Sequence, residues 1–502
     1  MPDDDLKSPG KRLVIISNRL PIVVKRSDKG YSVRPGSGGL VTALAPVLKH
    51  RGGLWIGWSG TEEGIDLNDM LDKAALDIGY DLKLVDLTAL EIENFYHGFA
   101  NEIIWPLFHD LQSRCNFNPV YWSSYKNVNQ KFARVITANT GEDDYIWVHD
   151  YHLMRVGSEL RKMGIDQRLG FYLHIPFPPL DIFLKLPWRF QILQDMLQYD
   201  LIGFQTQRDR SNFQLCIRTL MKGATFKGKG RILTVNAGGR SVRIGNFPIG
   251  IDYNEFVRAA ETKEVAERAW FIHEDLPKRS LILGIDRLDY TKGITYRLEA
   301  YRIALKRFPD LQRKVCFIQI VVPSRAFIPT YNSLKIEIER LVGEINGQFT
   351  QSGWIPIHYI FRHLTTEELV AYYRTAEIVL LTPLKDGMNL VAKEYCASNL
   401  EETGVLILSE FAGAVAQLQK GAIVVNPYVV EGIADAIYKA LTMDEEEKRT
   451  RMKKLRQSIR RQDIYWWIDS FLKAAFAKDL DDFPFLDDYV PVDSMAEKEP
   501  EH

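Results

Sequence analysis

Cysteine is scarce in this sequence, and long apolar runs are absent. The 502 residues include four cysteines, far apart and without C-x-x-C spacing, a pattern that indicates neither a zinc site nor a redox pair. We expect small buried thiols in a reducing compartment. No stretch approaches the ~18 consecutive apolar residues of a membrane-spanning helix. The acidic first residues, Met1–Asp5, are unlike a secretory or transit peptide, so we expect a cytoplasmic protein. The cysteines are Cys115, Cys216, Cys316 and Cys396.

Neither sign of charge is in excess. Lys+Arg number 64 and Asp+Glu number 65, which gives a formal net charge of -1. This balance argues against bulk attraction to nucleic acid or to an anionic membrane, so we expect neither as a partner. Any anion must be bound by a local group of side chains, and the expected partners are small-molecule substrates.

Metal-binding patterns are also missing. The Asp-x-Asp pattern of metal-dependent sugar transferases occurs only near the ends, at residues 3–5 and 479–481. His149, Asp150 and His152 lie close together in the chain, but no further ligand follows at a convincing spacing. We therefore predict no metal and no cofactor.

The chain is longer than a typical single domain, and apolar runs alternate with helix-length segments. One series begins at Leu13–Ile16 and ends near Pro248–Asp252, and a second begins at Leu281–Ile285. This alternation predicts an α/β protein with two doubly wound parallel sheets. The predicted divisions are a flexible tail at 1–11, a first domain at 12–253, a second domain at 254–462 and a flexible acidic tail at 479–502.

The stretch Asp386–Glu394 follows the apolar run Ile378–Leu381 and opens an amphipathic segment. It predicts a strand, a tight loop and a helix N-terminus. In a parallel sheet such a junction can bind a diphosphate through backbone N–H groups. Asp386 and Glu394 are suited to accept hydrogen bonds from sugar or ribose hydroxyls, so the loop is typical of a nucleotide-sugar site. The alternative is a plain turn followed by a solvated helix.

Several cationic residues follow predicted strands. Because the carboxyl ends of parallel strands meet in one crevice, we expect them to converge, although a lone Arg or Lys is most often a solvated charge. Aromatic residues between 55 and 105 can stack on a pyranose ring, but most aromatic side chains are core. The cations are Arg19, Arg287, Lys292, Arg325 and His363, and the aromatic residues are Trp55, Trp58, Tyr96 and Trp105.

Together these motifs resemble those of the trehalose-6-phosphate synthases, retaining glycosyltransferases of family 20, and most closely their fungal members. The similarity runs from about residue 12 to 478. The motifs are Ser17-Asn18-Arg19, Gly38-Gly39-Leu40, Gly57-Trp58-Ser59-Gly60, His149-Asp150-Tyr151-His152, Leu173-His174-Ile175-Pro176-Phe177-Pro178, Arg287-Leu288-Asp289-Tyr290-x-Lys292-Gly293 and Asp386-Gly387-Met388-Asn389-Leu390-Val391.

The resemblance implies the GT-B fold, in which two doubly wound Rossmann-like domains face each other across a deep cleft. Residues 12–253 would bind the acceptor, glucose 6-phosphate, and residues 254–462 would bind the donor, UDP-glucose. A final helix at about 463–478 would cross back to the first domain. The implied reaction joins the two substrates as α,α-trehalose 6-phosphate and releases UDP, which is the first step of trehalose biosynthesis.

The resemblance also implies the site residues. Of these, His174, Asp386, Arg287 and Lys292 would be catalytic. The implied donor residues are Gly39, His174, Arg287, Lys292, His363, Leu364, Asp386, Gly387, Met388, Asn389, Leu390, Val391 and Glu394. The implied acceptor residues are Arg19, Trp58, Tyr96, Trp105, Asp150 and Arg325.

Two other functions stay open. One is a silent regulatory subunit that binds glucose 6-phosphate; the other is a related transferase with a different donor or acceptor, such as a sucrose-phosphate or glycogen synthase type. The choice between UDP-glucose and GDP-glucose as donor also stays open. For the enzyme, the family pattern implies a front-face reaction in which the leaving phosphate takes the acceptor's proton. The family also implies a homo-oligomer and a possible complex with trehalose-6-phosphate phosphatase and regulatory subunits.

Overall fold

The computed structural model describes residues 12–27, 30–36, 39–64, 67–276, 279–324, 329–480 and 482–491. It divides into two compact units, whose bounds differ by a few residues from the sequence-based division. The predicted tail at 1–11 and the last part of the acidic tail lie outside the described residues. Asp487, within the predicted acidic tail, forms an exposed ion pair with Lys420 at 2.7 Å. The units are Met1–Ile249 with Ile464–Phe485, and Gly250–Asp463 with Leu486–His502.

The first unit contains a nine-stranded sheet. Its order is β5-β4-β1-β6-β7-β8-β11-β10-β9, and the seven strands from β5 to β11 are parallel. A separate antiparallel hairpin pairs β2 with β3. The strands are β1 (Leu13–Arg19), β2 (Ile22–Ser27), β3 (Gly30–Pro35), β4 (Leu54–Trp58), β5 (Asp81–Leu84), β6 (Tyr145–His149), β7 (Leu169–Tyr172), β8 (Leu201–Phe204), β9 (Thr225–Lys227), β10 (Ile232–Ala237) and β11 (Arg240–Asn246).

The structure adds two features to the sequence-based expectations for this sheet. The strands β9 and β10 pair antiparallel at its edge, so the sheet is mixed rather than wholly parallel. Residues 54–58, for whose tryptophans both a core and a sugar-stacking position were open, form the strand β4. All five residues of β4 are buried, because a central strand of a parallel sheet is covered on both faces.

The second unit contains a six-stranded, wholly parallel sheet with the order β14-β13-β12-β15-β16-β17. Numbered within the unit, this is the 3-2-1-4-5-6 order of a Rossmann fold. The predicted alternation of strands and helices is confirmed here. The strands are β12 (Ser280–Arg287), β13 (Val315–Val322), β14 (Ile357–Phe361), β15 (Ile378–Leu381), β16 (Val405–Ser409) and β17 (Ile423–Val425).

Helices connect the strands of both units, and a π-helix at Ile92–Ile104 lies in the first unit. The helices of the first unit are α1 (Gly39–Arg51), α2 (Asn68–Ile78), α3 (Ala89–Glu91), α4 (Trp105–Phe108), α5 (Pro119–Asn139), α6 (Val156–Lys162), α7 (Leu180–Phe183), α8 (Arg189–Met196), α9 (Gln207–Leu220) and α19 (Ile464–Phe476). Those of the second are α10 (Tyr253–Glu261), α11 (Lys263–Glu274), α12 (Ile294–Arg307), α13 (Pro329–Phe349), α14 (Thr366–Thr375), α15 (Leu390–Ser398), α16 (Val415–Leu418), α17 (Val430–Thr442) and α18 (Glu445–Arg461).

The last helix, α19, packs on the sheet of the first unit. Phe471 stacks on Trp147 of β6 with ring centroids 4.3 Å apart, and Trp467 lies 5.1 Å from the same ring. Arg243 of β11 donates to the carbonyl oxygen of Ala474 at 2.6 Å. Aromatic burial and this hydrogen bond at the end of the helix hold the C-terminal segment on the first unit.

No helix within the described ranges is long and apolar enough to cross a lipid bilayer.

Candidate active site

The two sheets share one topological feature. In the second unit, successive strands are added in one direction from β12 to β14 and in the opposite direction from β15 to β17, so the strand order reverses between the neighbouring strands β12 and β15. Setting the β2–β3 hairpin aside, the first six parallel strands of the first unit follow the same order, and the reversal lies between β1 and β6. Crevices at such switch points are the usual ligand sites of doubly wound folds.

In the second unit, two predicted cations follow β12. Arg287 is the last residue of β12 and is exposed, whereas Lys292 ends the short 3-10 turn Tyr290–Lys292 and is 9% exposed. Gly293 then starts α12 with φ +63°, and a Cβ there would lie 2.2 Å from the carbonyl oxygen of Thr382. Only glycine fits this close approach, which seats the Lys292 turn against the end of β15.

Lys292 meets Asp386 directly. Its Nζ lies 2.6 Å from Asp386 Oδ2, and Asn389 Nδ2 donates to the same oxygen at 3.3 Å. The two charged side chains are 11% and 15% exposed. A partly buried ion pair is screened less by solvent than an exposed one. The structure thus brings together residues 94 positions apart in sequence.

The loop between Asp386 and α15 is anchored by the segment that follows β16. Gly413 N–H donates to Asp386 O at 3.0 Å, and Ala414 N–H donates to Met388 O at 2.8 Å. Asn389 has φ +78° and caps α15, because its side chain accepts from Ala392 N–H. The first N–H groups of α15 have no acceptor within the helix, so this terminus can bind an anion.

Glu394 lies one turn into α15. Tyr373 of α14 donates its hydroxyl to Glu394 Oε2 at 2.9 Å. Burial raises the pKa of Glu394 to about 7, and the hydrogen bond from Tyr373 opposes that rise. Burial also raises the pKa of Tyr373 well above its ordinary value, so the phenol stays protonated and acts as the donor. Sequence reasoning missed Tyr373, whose contact depends on how α14 packs on α15.

A buried polar cluster around Arg297 connects the Lys292 turn to the end of β15. Arg297 of α12 is fully buried, and its Nη1 lies 2.7 Å from Asp286 Oδ2. Arg297 also donates to Thr382 Oγ1 at 3.2 Å and to Lys292 O at 3.4 Å. Sequence reasoning missed this cluster too. The one indication in the sequence is that Arg297 lies on the same face of α12 as the apolar residues Ile294 and Leu298.

His363 and Leu364 follow β14, which is the edge strand of the second sheet. His363 is exposed, Leu364 is half-buried, and Arg362 Nη1 donates to the carbonyl oxygen of His363 at 3.1 Å. These two residues therefore follow a strand two positions from the β12–β15 reversal. Of the predicted residues in this unit, Lys292 and Asp386 are in contact, and Arg287 ends the strand that precedes the Lys292 turn.

In the first unit, Arg19 ends β1. Its guanidinium lies over the Trp58 ring, with Cζ 4.4 Å from the ring centroid. Gly60, with φ +92°, leaves room for it, since a Cβ there would lie 1.7 Å from Arg19 Nη1. Tyr96 of the π-helix meets Trp58 edge-on at 5.7 Å. Three predicted acceptor residues thus form one cluster of a cation and two rings.

Asp150 and His174 are joined at the ends of the neighbouring strands β6 and β7. Asp150 Oδ1 accepts from the backbone N–H of His174 at 3.2 Å. Asp150 has φ +74°, a conformation that costs energy in a non-glycine residue and that occurs often at functional sites. Trp105 is buried near this loop, 5.9 Å from the Tyr151 ring.

The His174 ring contacts a second histidine. His174 Nε2 lies 3.1 Å from Nδ1 of His149, the last residue of β6. Burial lowers the pKa of His174 to about 3 and that of His149 well below its ordinary value. Both rings are therefore neutral at physiological pH.

Gly39, predicted as a donor residue, is the first residue of α1. Arg325, predicted as an acceptor residue, lies outside the described residues. Across the described part of the chain, no group of three or more His, Cys, Asp or Glu side chains is placed to hold a metal ion.

Comparison with known proteins gives consistent matches over nearly the whole chain. The family model for glycosyltransferase family 20 matches residues 11–476. A trehalose-6-phosphate synthase of Mycolicibacterium vanbaalenii is 39% identical over 481 residues, covering 95% of this chain and 98% of the relative. A bifunctional trehalose-6-phosphate synthase/phosphatase of Thermoproteus tenax is 38% identical, covering 92% of this chain and 63% of the relative.

Solved structures agree with these sequence relatives. A UDP-forming α,α-trehalose-phosphate synthase of Burkholderia xenovorans in complex with glucose 6-phosphate matches with a TM-score of 0.83 and 34% identity, covering 92% of this chain and 99% of that one. An E. coli structure bound with UDP-2-fluoro glucose matches with a TM-score of 0.82 and 34% identity, covering 93% and 99%. The two-domain Rossmann-like α/β fold predicted from the sequence is confirmed. The chain belongs to glycosyltransferase family 20.

Proposed function

We propose that this chain is a retaining glycosyltransferase that moves glucose from UDP-glucose to glucose 6-phosphate, forming α,α-trehalose 6-phosphate and UDP. This would be the first step of trehalose biosynthesis. The observation that carries the proposal is the second switch point, where Lys292 pairs with Asp386 just before the N-terminus of α15 and Arg287 ends the neighbouring strand β12. The relatives' names and their bound ligands support the same reaction.

The second unit binds the donor in this proposal. Arg287 and Lys292 hold the diphosphate, because two cations offset its charge and stabilise the extra charge that develops as UDP departs. The backbone N–H groups of residues Met388 to Val391, at the N-terminus of α15, add hydrogen-bond donors to the diphosphate. Asp386 and Glu394 accept hydrogen bonds from hydroxyl groups of the glucose and the ribose. His363 and Leu364 would meet the uracil through their backbone.

The first unit binds the acceptor. Arg19 holds the 6-phosphate, since a guanidinium matches phosphate oxygens with two parallel hydrogen bonds. Arg325 is proposed as its partner on sequence grounds alone. Trp58, Tyr96 and Trp105 offer ring faces and edges to the sugar, and Asp150 accepts from its hydroxyl groups. Gly39, at the start of α1, would leave room for the donor.

The proposed chemistry is a front-face displacement. The bond from the anomeric carbon to the leaving phosphate oxygen breaks, the acceptor hydroxyl attacks from the same face, and the phosphate oxygen takes its proton. His174 cannot supply a proton in this scheme, because its pKa of about 3 leaves the ring neutral. The protein acts by positioning and by charge stabilisation.

The direct test is a turnover assay without added metal. Purified protein is mixed with UDP-glucose and glucose 6-phosphate, and UDP release and the sugar product are followed together. We expect proton NMR to show a phosphorylated, non-reducing disaccharide with two α-anomeric protons. Binding of both ligands without turnover would instead favour the regulatory subunit, and turnover with GDP-glucose alone would change the donor assignment.

We propose that the reaction needs no metal, since Arg287 and Lys292 can carry the electrostatic role that a metal ion has in other transferases. The four cysteines are free thiols, which supports a reducing, cytoplasmic location. A homo-oligomer and a complex with trehalose-6-phosphate phosphatase or regulatory subunits stay predictions from the resemblance, as does the likeness to fungal members.

A further inference from the structure

His149 is a buried polar residue to which the proposed reaction assigns no role. Its side chain is fully buried, and aromatic rings surround it. The ring centroids of Trp147, Tyr172 and Trp467 lie 4.6, 6.4 and 6.3 Å away. Its Nδ1 meets His174 Nε2 at 3.1 Å. Among the described residues, no protein atom forms a hydrogen bond with its other nitrogen, Nε2.

The contact between the two rings is a neutral hydrogen bond. Burial lowers the pKa of both histidines, so neither ring carries a second proton at physiological pH. A neutral imidazole has one N–H donor and one acceptor nitrogen. One of the two facing nitrogens must therefore hold the proton, and the other must accept it.

Burial of His149 Nε2 decides between the two arrangements. If Nε2 carried the proton, a buried N–H would lie among aromatic rings without an acceptor. If Nδ1 carries it, only a lone pair is left unused at Nε2. Unpaired buried donors are rarer in proteins than unused acceptor capacity, because the lost hydrogen bond of a donor has no substitute. The proton thus belongs on His149 Nδ1, which donates to His174 Nε2.

This fixes the chemistry of His174. With Nε2 accepting, its own proton is on Nδ1, so Nδ1–H is the ring's one hydrogen-bond donor. The backbone N–H of His174 is tied to Asp150 Oδ1 at 3.2 Å, which holds the residue at the end of β7.

We propose that His149 is a positioning residue that holds His174 in its Nδ1–H form, so that His174 donates a hydrogen bond to an oxygen of a sugar substrate. The tautomer assignment rests on the geometry of the first unit alone. Its link to the sugar rests on the proposed function.

The first test uses the wild-type protein and needs no activity. In protein labelled with ¹⁵N-histidine, long-range ¹H–¹⁵N correlations distinguish an Nδ1–H ring from an Nε2–H ring. The chain has 10 histidines, and loss of one set of peaks in His174→Asn assigns the residue. We expect the Nδ1–H pattern for His174 at neutral pH. The Nε2–H pattern would overturn the proposal.

The second test compares two substitutions of His149. In His149→Asn, the side-chain amide can still donate from about the position of Nδ1, whereas His149→Phe keeps a ring but offers no donor. We expect kcat with UDP-glucose to fall about tenfold in His149→Phe and to stay within about threefold of wild type in His149→Asn. In His149→Phe the peaks of His174 should show a mixture of tautomers.

Thermal unfolding of both variants shows whether they are folded. Equal kcat values for the two folded variants would overturn the positioning role. An Nδ1–H pattern in a wild-type protein without glucosyl transfer would refute the link to the sugar and the proposed function, while supporting the tautomer itself.

Discussion

The two switch points occupy the same place in two similar sheets, but their chemistry differs. In the first unit, Arg19 lies on aromatic rings and the two histidines are neutral. In the second, an ion pair, a helix N-terminus and a titratable carboxylate surround one loop. The sheet order decides where a ligand can bind, and the side chains decide which ligand it is. A sugar with one phosphate suits the first arrangement, and a diphosphate with a ribose suits the second.

Substitution in the buried cluster around Arg297 should have the largest effect on stability. Arg297→Met leaves Asp286 buried without its partner, and we expect the free energy of unfolding of the second unit to fall by about 3–5 kcal/mol. Arg302→Met, on the same helix, removes a partly exposed pair with Glu299 and should cost at most about 1 kcal/mol. Denaturant unfolding measures both. Equal costs would show that the buried pair does not stabilise this unit.

Removal of Lys292 should have the largest effect on catalysis. Lys292→Ala deletes a cation that stabilises the departing UDP, so we expect kcat to fall by about 10²- to 10³-fold. Lys306→Ala removes an exposed lysine from α12 and should leave kcat unchanged. Steady-state kinetics at saturating glucose 6-phosphate measure this. A Lys292→Ala enzyme with a raised donor KM but normal kcat would mean that the lysine only binds the ground state.

Removal of Arg19 should affect the other substrate. Arg19→Ala loses charge-assisted hydrogen bonds to a phosphate, and we expect the KM for glucose 6-phosphate to rise about 10- to 100-fold. The KM for UDP-glucose should change by less than about twofold. Arg134→Ala, an exposed position on α5, is the matched control. If both KM values rose equally in Arg19→Ala, the two sites would not be distinct.

The smallest effect should be a pH dependence found only in the second unit's site. Glu394 accepts ribose hydrogen bonds when ionised, and its pKa is about 7, so the donor KM should rise as the pH falls below that value. Tyr373→Phe removes the hydrogen bond that lowers this pKa, so the rise should begin at higher pH. At pH 7 the variant's donor KM should be about three- to tenfold higher.

Glu394→Gln is the control for that experiment, because an amide does not titrate in this range. Its donor KM should be raised but independent of pH between 6 and 8. A pH profile that is the same in the wild type and in Glu394→Gln would assign the titration to another group.

The sequence predicted the individual strands better than their arrangement. Apolar runs located β1, β6 and most strands of the second unit, because strands buried on both faces are continuously apolar. The same rule applies to β4, but its two tryptophans left it open between a core position and a sugar-stacking position. Sheet order depends on contacts between distant segments, so the switch points and the antiparallel strand β10 became visible only in the structure.

For the candidate site, too, some residues were predicted from the sequence and others became visible only in the structure. Family motifs indicated Arg287, Lys292 and Asp386, and the structure brings Lys292 and Asp386 together. Tyr373 contacts Glu394 across 21 residues of sequence, His149 contacts His174 across 25, and Arg297 contacts Thr382 across 85. A lone polar residue on a helix or strand does not reveal such partners. Predicting them would have required knowing which helix faces which strand.

Hydrogen–deuterium exchange with each ligand alone tests the central claim most directly. We expect UDP to slow exchange in peptides covering residues 386–394 and glucose 6-phosphate to slow exchange in peptides covering 17–20 and 149–153. Lys292→Ala should lose the first effect and keep the second. Protection of 149–153 by UDP, with none at 386–394, would contradict the assignment of the nucleotide to the second unit.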